Sequence, residues 1–363
     1  MRSSTRVARY DCSGVPQSVL GYAHPHRRGS AGFRRISLAL FAGGLATFTA
    51  LYSVQALLPA FATAFRISPT TASLALSVST VALALGVIPL TSASEVFGRT
   101  RVMTVSLFAA GVLAVAAPIA PNFTVLLVLR ALLGLSLAGL QATAMSYLTE
   151  ELHRGSLGSG MGLYIAGNAI GGMLGRLIAG LVVDFSSWRV ALAVIGVFSL
   201  ACAIVFRLSI LPSRGFTARA VPLRSLAHSL AKSVADSGLL RLYAVGFLLM
   251  GSFVTVYNYL GFRLLGGEFG LSETVVGLIF VVYLAGSISS TITGRIVDRA
   301  GRARMLLATV ATMAAGLALL ATHWLVVVIV GLVVWTAGFF AAHSVASGWV
   351  GLRAKTLGTQ GPW

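Results

Sequence analysis

Gly294-Arg-Ile-Val-Asp298-Arg299-Ala-Gly301-Arg302-Ala-Arg304 is a short, strongly basic stretch between two apolar runs, Val275 to Ile292 before it and Met305 to Ala321 after it. A basic loop clamped between membrane-length apolar runs is the pattern left by the preference of Lys and Arg for the cytoplasmic side of a bilayer. A related stretch, T-S-A-S-E-V-F-G-R-T-R from Thr91 to Arg101, lies roughly 200 residues earlier and is also flanked by apolar runs. Two such loops predict a chain built from two related halves.

The rest of the chain agrees with a membrane origin for this pattern. Of 363 residues, 57% are hydrophobic and only 10% are charged, and the mean hydropathy is +0.90. No soluble domain needs so much apolar surface, so the fold class is an all-α polytopic membrane protein. The net charge of +18 would suggest nucleic acid in a soluble chain. Here the arginines fall in loops on one side, which accounts for the charge and excludes nucleic acid as a partner. Cys12 and Cys202 form no C-x-x-C motif, and the six histidines show no metal spacing. No cofactor or metal is expected. A phosphate-binding glycine loop is also lacking, which argues against an ATP-driven pump.

A spanning helix needs about 20 apolar residues. Ten segments qualify, at 36–62, 71–91, 103–120, 123–148, 157–182, 189–211, 238–262, 274–296, 304–322 and 324–349. With the N-terminus inside, the tail, the even-numbered loops and the C-terminal end hold 22 Lys and Arg, against three (Arg66, Arg189, Arg263) on the other side. That asymmetry sets the expected orientation. Residues 1–35 are expected to form a disordered basic cytoplasmic tail, without the features of a secretory signal. Residues 36–211 form an N-terminal six-helix bundle, 212–237 a cytoplasmic central loop and 238–349 a bundle of four helices. Residues 350–363 form a polar end.

The residues Gly294, Asp298, Arg299, Gly301 and Arg302 fit G-x-x-x-D-R-x-G-R, a pattern that resembles the loop motif of the major facilitator superfamily. The earlier copy keeps Gly98 and Arg99, with Glu95 in place of the aspartate and Thr91 in place of the first glycine. The resemblance implies two pseudo-symmetric bundles of six helices, so the last two of twelve would be missing from this chain. It also implies a multi-pass monomer of the bacterial inner membrane that carries a small molecule by alternating access. The loop carboxylates with their arginines are expected to act as gating latches across the bundle interface.

Candidate site residues lie in the spans. Arg130 sits inside the fourth span with Gly134, Ala138 and Gln141 on its face. A charge inside a span costs at least ~2.5 kcal/mol and is a functional candidate by default; the alternative is snorkelling to the interface. The pair Arg130 and Gly134 resembles the R-x-x-x-G motif that the family's antiporters use in proton coupling. The fifth span reads G-L-Y-I-A-G-N-A-I-G-G-M-L-G-R, so Gly167, Gly171 and Gly175 form a small-residue packing ridge. Asn168, Gly172 and Arg176 lie on the neighbouring ridge, and the segment resembles the antiporter motif G-P-x-x-G-G with Asn168 in place of Pro. Arg176 either faces a cavity or pairs with Asp184 two turns on. Tyr52 and Gln55 follow Phe48 on one face of the first span, similar to the first helix of arabinose-efflux-type permeases. Tyr257 and Asn258 are a comparable pair in the other half, and His343 lies in the tenth span. The Trp of S-S-W-R at 186–189 is expected to anchor at the membrane interface.

None of the nine acids lies in the middle of a span. A proton carrier would be Asp184 or Glu95 at the span edges, or a group in the two further helices. The best reading is a non-enzymatic, proton-coupled efflux transporter. Two alternatives remain: an importer or facilitator of an organic anion, suited to two intramembrane arginines, and a truncated, non-transporting membrane protein. An integral membrane enzyme is the least favoured reading, for want of a nucleophile–base or metal constellation.

Overall fold

The computed structural model describes residues 26–213 and 235–356, excepting the side chains of Asp298 and of residues 354–356. The tail up to residue 25, positions 214–234 of the central loop, and residues 357–363 lie outside the described residues. Among the described residues, ten helices are long and apolar enough to cross a membrane: α1 (Ala31–Phe65), α2 (Pro69–Phe97), α3 (Arg99–Ile119), α4 (Phe123–Glu151), α5 (Arg154–Phe185), α6 (Trp188–Ser209), α7 (Ser237–Leu265), α8 (Glu273–Val297), α9 (Arg302–Leu320) and α10 (Leu325–Arg353).

Each helix matches a predicted span and most run a few residues past it, because polar caps rather than the last apolar residue set the ends. Ser30, Ser68, Asn122, Ser187, Asp236 and Ser272 each accept a backbone N–H of the first turn that would otherwise be unsatisfied. Two boundaries therefore move. Residues 31–35, read from the sequence as tail, are the first turn of α1, and the helix of α10 continues to Thr356. Residues 26–30 are also held. His26 pairs with the α4–α5 turn through its N–H to Glu151 O (2.9 Å) and its carbonyl to the His153 N–H (3.1 Å), and Arg28 N–H reaches Ser156 Oγ.

The two halves repeat at the level of packing. In the first, α4 lies against α2 and α3; in the second, α10 lies against α8 and α9. The repeat extends to the backbone of the two basic loops. Gly98 ends α2 and opens α3 at φ 93°, ψ 140°, and Gly301 does the same between α8 and α9 at φ 87°, ψ 132°. A side chain would be strained at either φ, which is why the motif glycine stands there. Gly294, by contrast, has open space around it.

Within the first bundle, α5 closes on α1 through the predicted ridge. A Cβ on Gly167, Gly171 or Gly175 would stand 2.5–2.6 Å from the carbonyl oxygens of Phe41, Leu45 and Thr49 in turn. Both series advance by four residues, so the two helices run ridge against groove at backbone contact. Thr49 Oγ1 donates across this contact to Gly171 O.

The basic loops define one end of the molecule, here termed the basic end. The larger apolar core draws on both bundles toward the opposite end, where Leu57 and Phe61 of α1 share a cluster with Leu260 and Leu264 of α7 and Val276 of α8. A smaller core, around Phe33, Tyr147 and Phe206, belongs to the first bundle alone. Trp188 lies in the larger core against Phe61 (5.4 Å) and Phe65 (5.3 Å) and is only 5% exposed. The expected interface anchor is thus a packing residue, because the turn before α6 folds inward over α1.

Candidate functional site

The site begins with a break in α1. Its helix stops at Tyr52, and a new one starts at Val54. Around such a break, backbone carbonyls lose their helical partners and need others. Arg130 supplies them. Its Nη1 donates to Ala50 O (2.8 Å), its Nη2 to Leu51 O (2.7 Å) and its Nε to Ala75 O of α2 (3.0 Å). The guanidinium is buried among these oxygens at 2% exposure, so it does not snorkel. It lies inside the first bundle rather than between the bundles. Gly134, one turn on, lets α4 approach Ser79 of α2, whose carbonyl a Cβ would strike at 2.0 Å.

Beyond the break, Gln55 points across the seam between the bundles. Arg176 of α5 donates from Nε to Gln55 Oε1 (2.7 Å), and Gln55 Nε2 donates to Asn258 Oδ1 of α7 (2.6 Å). The order of donors is dictated by the arginine. It can only donate, so it takes the amide oxygen of Gln55 and leaves the NH2 for Asn258. Arg176 Nη1 also bonds Gly172 O, while no described residue accepts from Nη2. The guanidinium carbon lies 4.4 Å from the Tyr52 ring centre, 4.7 Å from that of Tyr283 and 5.0 Å from that of Phe280. Cations are attracted to such ring faces. Arg176 is 1% exposed and pairs with no described carboxylate. Asp184, the alternative partner in sequence, instead accepts from Thr274 N–H at the start of α8 (3.4 Å).

Other candidates stand around this layer. Tyr257 bonds Thr336 of α10 through its hydroxyl (2.7 Å) and stacks on Phe280 (5.3 Å). Toward the basic end, Gln141 Oε1 accepts from Tyr164 (3.0 Å), and Asn168 faces Gly44 of α1. Both amides keep a buried atom without a partner. Gly172 leaves room for Tyr52 and Phe48. His343 stacks on Phe339 at 5.5 Å.

The seam is closed at the opposite end. Gly180 of α5 and Gly277 of α8 meet at backbone contact, a Cβ on the first lying 3.0 Å from the Cα of the second. Tyr259 of α7 donates to Thr70 of α2. Among the described residues, every hydrogen bond that crosses between bundles lies in this half.

The predicted loop latches differ from this. Arg99 donates from Nε to Glu150 of α4 (2.7 Å) and from Nη2 to Glu95 (2.8 Å), with Nη1 on Ser94. All these partners belong to the first bundle, so here the latch does not cross the seam as expected. The nearest acids to Arg99 come from its own bundle, and they satisfy its donors. The side chain of Asp298 lies outside the described residues; Arg299 is exposed, and Arg302 is part-buried.

Sequence reasoning missed Tyr283, Phe280 and Glu150. The first two were legible as aromatics spaced by three in F-V-V-Y at 280–283. Their inward aim rests on the short 3-10 turn at Phe280–Val282, which periodicity does not announce. Glu150 has no local signal.

Residues 40–360 match the family described as Major Facilitator Superfamily. The chain is 44% identical over 328 residues to the "Uncharacterized MFS-type transporter YybF" of Bacillus subtilis, covering 90% of this chain and 81% of that protein. It is 43% identical over 329 residues to the "Inner membrane transport protein YnfM" of Escherichia coli, covering 91% and 79%. In fold it is similar to a bacterial homologue of the human lysosomal transporter Spinster in an inward-facing, unoccupied conformation, with TM-score 0.74, 15% identity, and 91% and 80% coverage.

Proposed function

The chain belongs to the major facilitator superfamily of membrane transporters, and from that premise we propose that it moves a small organic solute by alternating access, exporting it against protons. One observation carries the reading. The polar layer Arg176–Gln55–Asn258 ties the bundles together in the half opposite the basic loops, where Gly180 also meets Gly277 at backbone contact and Tyr259 bonds Thr70. The positive-inside preference assigns the basic end to the cytoplasm. The layer is then the floor of a site open to the cytoplasm, and rocking of the bundles about it exposes the solute to the other side.

For the proton we assign the acids at the far end of the seam. Asp184 of the first bundle reaches the start of α8 beside Glu273, so their charges enter or leave the interface whenever that seam opens. The efflux direction draws on the likeness of the α5 glycine segment and of Tyr52 and Gln55 to exporters. A second reading, an uncoupled facilitator of an organic anion, is favoured by the lack of a carboxylate beside Arg176 among the described residues.

Proteoliposomes with an internal pH dye decide between them. Addition of a transported solute from a panel of aromatic acids, amines and sugars should move protons opposite to the solute. The response should be lost in Asp184→Asn together with Glu273→Gln. Solute movement without proton movement would overturn the coupled reading in favour of the facilitator.

A further inference from the structure

We infer that the solute is an organic anion with a flat, unsaturated body, its carboxylate bound by Arg176 and its ring seated against the part-exposed aromatic wall of Phe48 and Tyr52; this rests on the transporter reading above. Three observations converge on it. The first is charge. Arg176 is buried at 1% exposure between two bundles and has no carboxylate among the described residues. An uncompensated buried cation is costly, and a bound anion removes that cost. Its neighbours supply only neutral groups: the amide oxygen of Gln55, the carbonyl of Gly172 and three aromatic faces.

The second is unused hydrogen-bonding capacity at the same place. Arg176 Nη2 donates to no described residue. The hydroxyl of Tyr283, whose ring lies 4.7 Å from the guanidinium, is buried without a partner although the residue is only 8% exposed. A buried donor left without an acceptor is destabilising, because it has given up its bond to water and gained none in return. This hydroxyl and the open Nη2 donor of the cation together suit a carboxylate, which accepts on both oxygens. A cationic solute would leave both unpaired and meet Arg176 with like charge.

The third is shape. Tyr52, Tyr283 and Phe280 surround the guanidinium with ring faces, and Phe48 extends the aromatic wall from Tyr52 at 5.8 Å, nearly parallel. Such a wall favours a planar apolar body over a hydrated one. Arg130 takes no part, since its three donor nitrogens are engaged by backbone carbonyls.

The test is calorimetric binding to the full-length protein in nanodiscs, with benzoate, benzamide and acetate as probes. Benzoate should bind, with benzamide and acetate each weaker by about tenfold or more, equivalent to 1.4 kcal/mol. Arg176→Gln should lose benzoate binding by at least about tenfold, with Arg176→Lys retaining part of it. Tyr283→Phe, which deletes only the orphan hydroxyl, should weaken benzoate and leave benzamide unchanged. Equal affinity for benzoate and benzamide, an unaffected Arg176→Gln, or a folded wild type that ignores benzoate would overturn the inference. Should Arg176→Gln fail to fold, the probe series and Tyr283→Phe decide. Benzoate counterflow into proteoliposomes separates the two layers of argument. Arg176-dependent binding without counterflow would sink the transport reading alone. Counterflow of neutral solutes with no benzoate binding would sink the anion assignment alone.

Discussion

Arg176 and Gln55 are joined by a 2.7 Å hydrogen bond that decides how the two bundles meet, because it turns the Gln55 amide so that only its NH2 is left for Asn258 on the other side of the seam. The cation thus orients a neutral relay, and the relay is the polar tie between the halves at this depth.

Cutting that tie should open the far end. Asn258→Leu leaves the buried Gln55 NH2 without an acceptor, a cost of about 1–3 kcal/mol borne only by the closed state. A single cysteine at Val276, which is 4% exposed in the core shared by the two bundles, placed in an otherwise Cys-free chain, should react with a membrane-impermeant maleimide about 5- to 150-fold faster in this variant. Unchanged labelling would show that the relay does not hold the seam.

The two glycine contacts of α5 should respond differently. Gly171→Ala drives a methyl to 2.5 Å from the Leu45 carbonyl, which is backbone and cannot step aside. Gly172→Ala meets only the end of the Arg176 side chain, at 3.3 Å. Thermal unfolding in detergent should drop by about 5 °C or more for the first and stay near wild type for the second, while the second alters solute affinity through Arg176.

Gly277→Leu should trap the transporter. The side chain would enter the contact with Gly180 at the far end of the seam, where a Cβ on Gly277 already lies 3.3 Å from the Gly180 Cα. Folding stability should change little, since the bundles themselves are intact. Solute counterflow should fall to background, and the Val276 cysteine should label at its fast rate.

Arg130 should act on stability before transport. Arg130→Ala strands the carbonyl of Leu51 at the α1 break and leaves that of Ala50 only the Ser53 hydroxyl. The loss of three charge-assisted bonds should cost several kcal/mol, of order 1.5–3 each. Arg130→Lys places one ammonium where a fork stood and should recover less than half of the lost melting temperature. A Lys variant of wild-type stability would refute the assigned role.

Two carboxylates just outside the spans, Glu268 and Asp236, should set an acid limit. Arg263 and His323 hold the Glu268 carboxyl at about 2, and Arg353 with the α7 N-terminus holds Asp236 at about 2. Both are depressed below their unfolded values near 4, so their contribution is present above pH ~4–5 and disappears as pH falls toward 2. The melting-temperature gap between wild type and Glu268→Gln, or Asp236→Asn, should therefore be constant from pH 8 to 5 and close on further acidification. A gap independent of pH down to 3 would remove the pairs from the account.

The ten spans, the two related halves and the small-residue ridge of α5 are legible in the order of amino acids alone. Each rests on a local physical rule: apolar length against bilayer thickness, arginine asymmetry, and a spacing of four that keeps Gly167, Gly171 and Gly175 on one face. The sequence also marked Arg130 and Arg176 as the charges needing explanation. It left open what each does, because a charge's role depends on which groups meet it, and these come from distant positions. Only the tertiary structure separated the two arginines, giving Arg130 the carbonyls of a broken helix 79 and 80 residues away and Arg176 a relay into the other bundle. The same holds for Tyr283, which joins the site only because a 3-10 turn in α8 redirects it, and for Arg99, whose acids are supplied within its own bundle. Helices follow from nearest-neighbour chemistry, whereas a site between helices is set by packing that brings remote residues within a few ångströms.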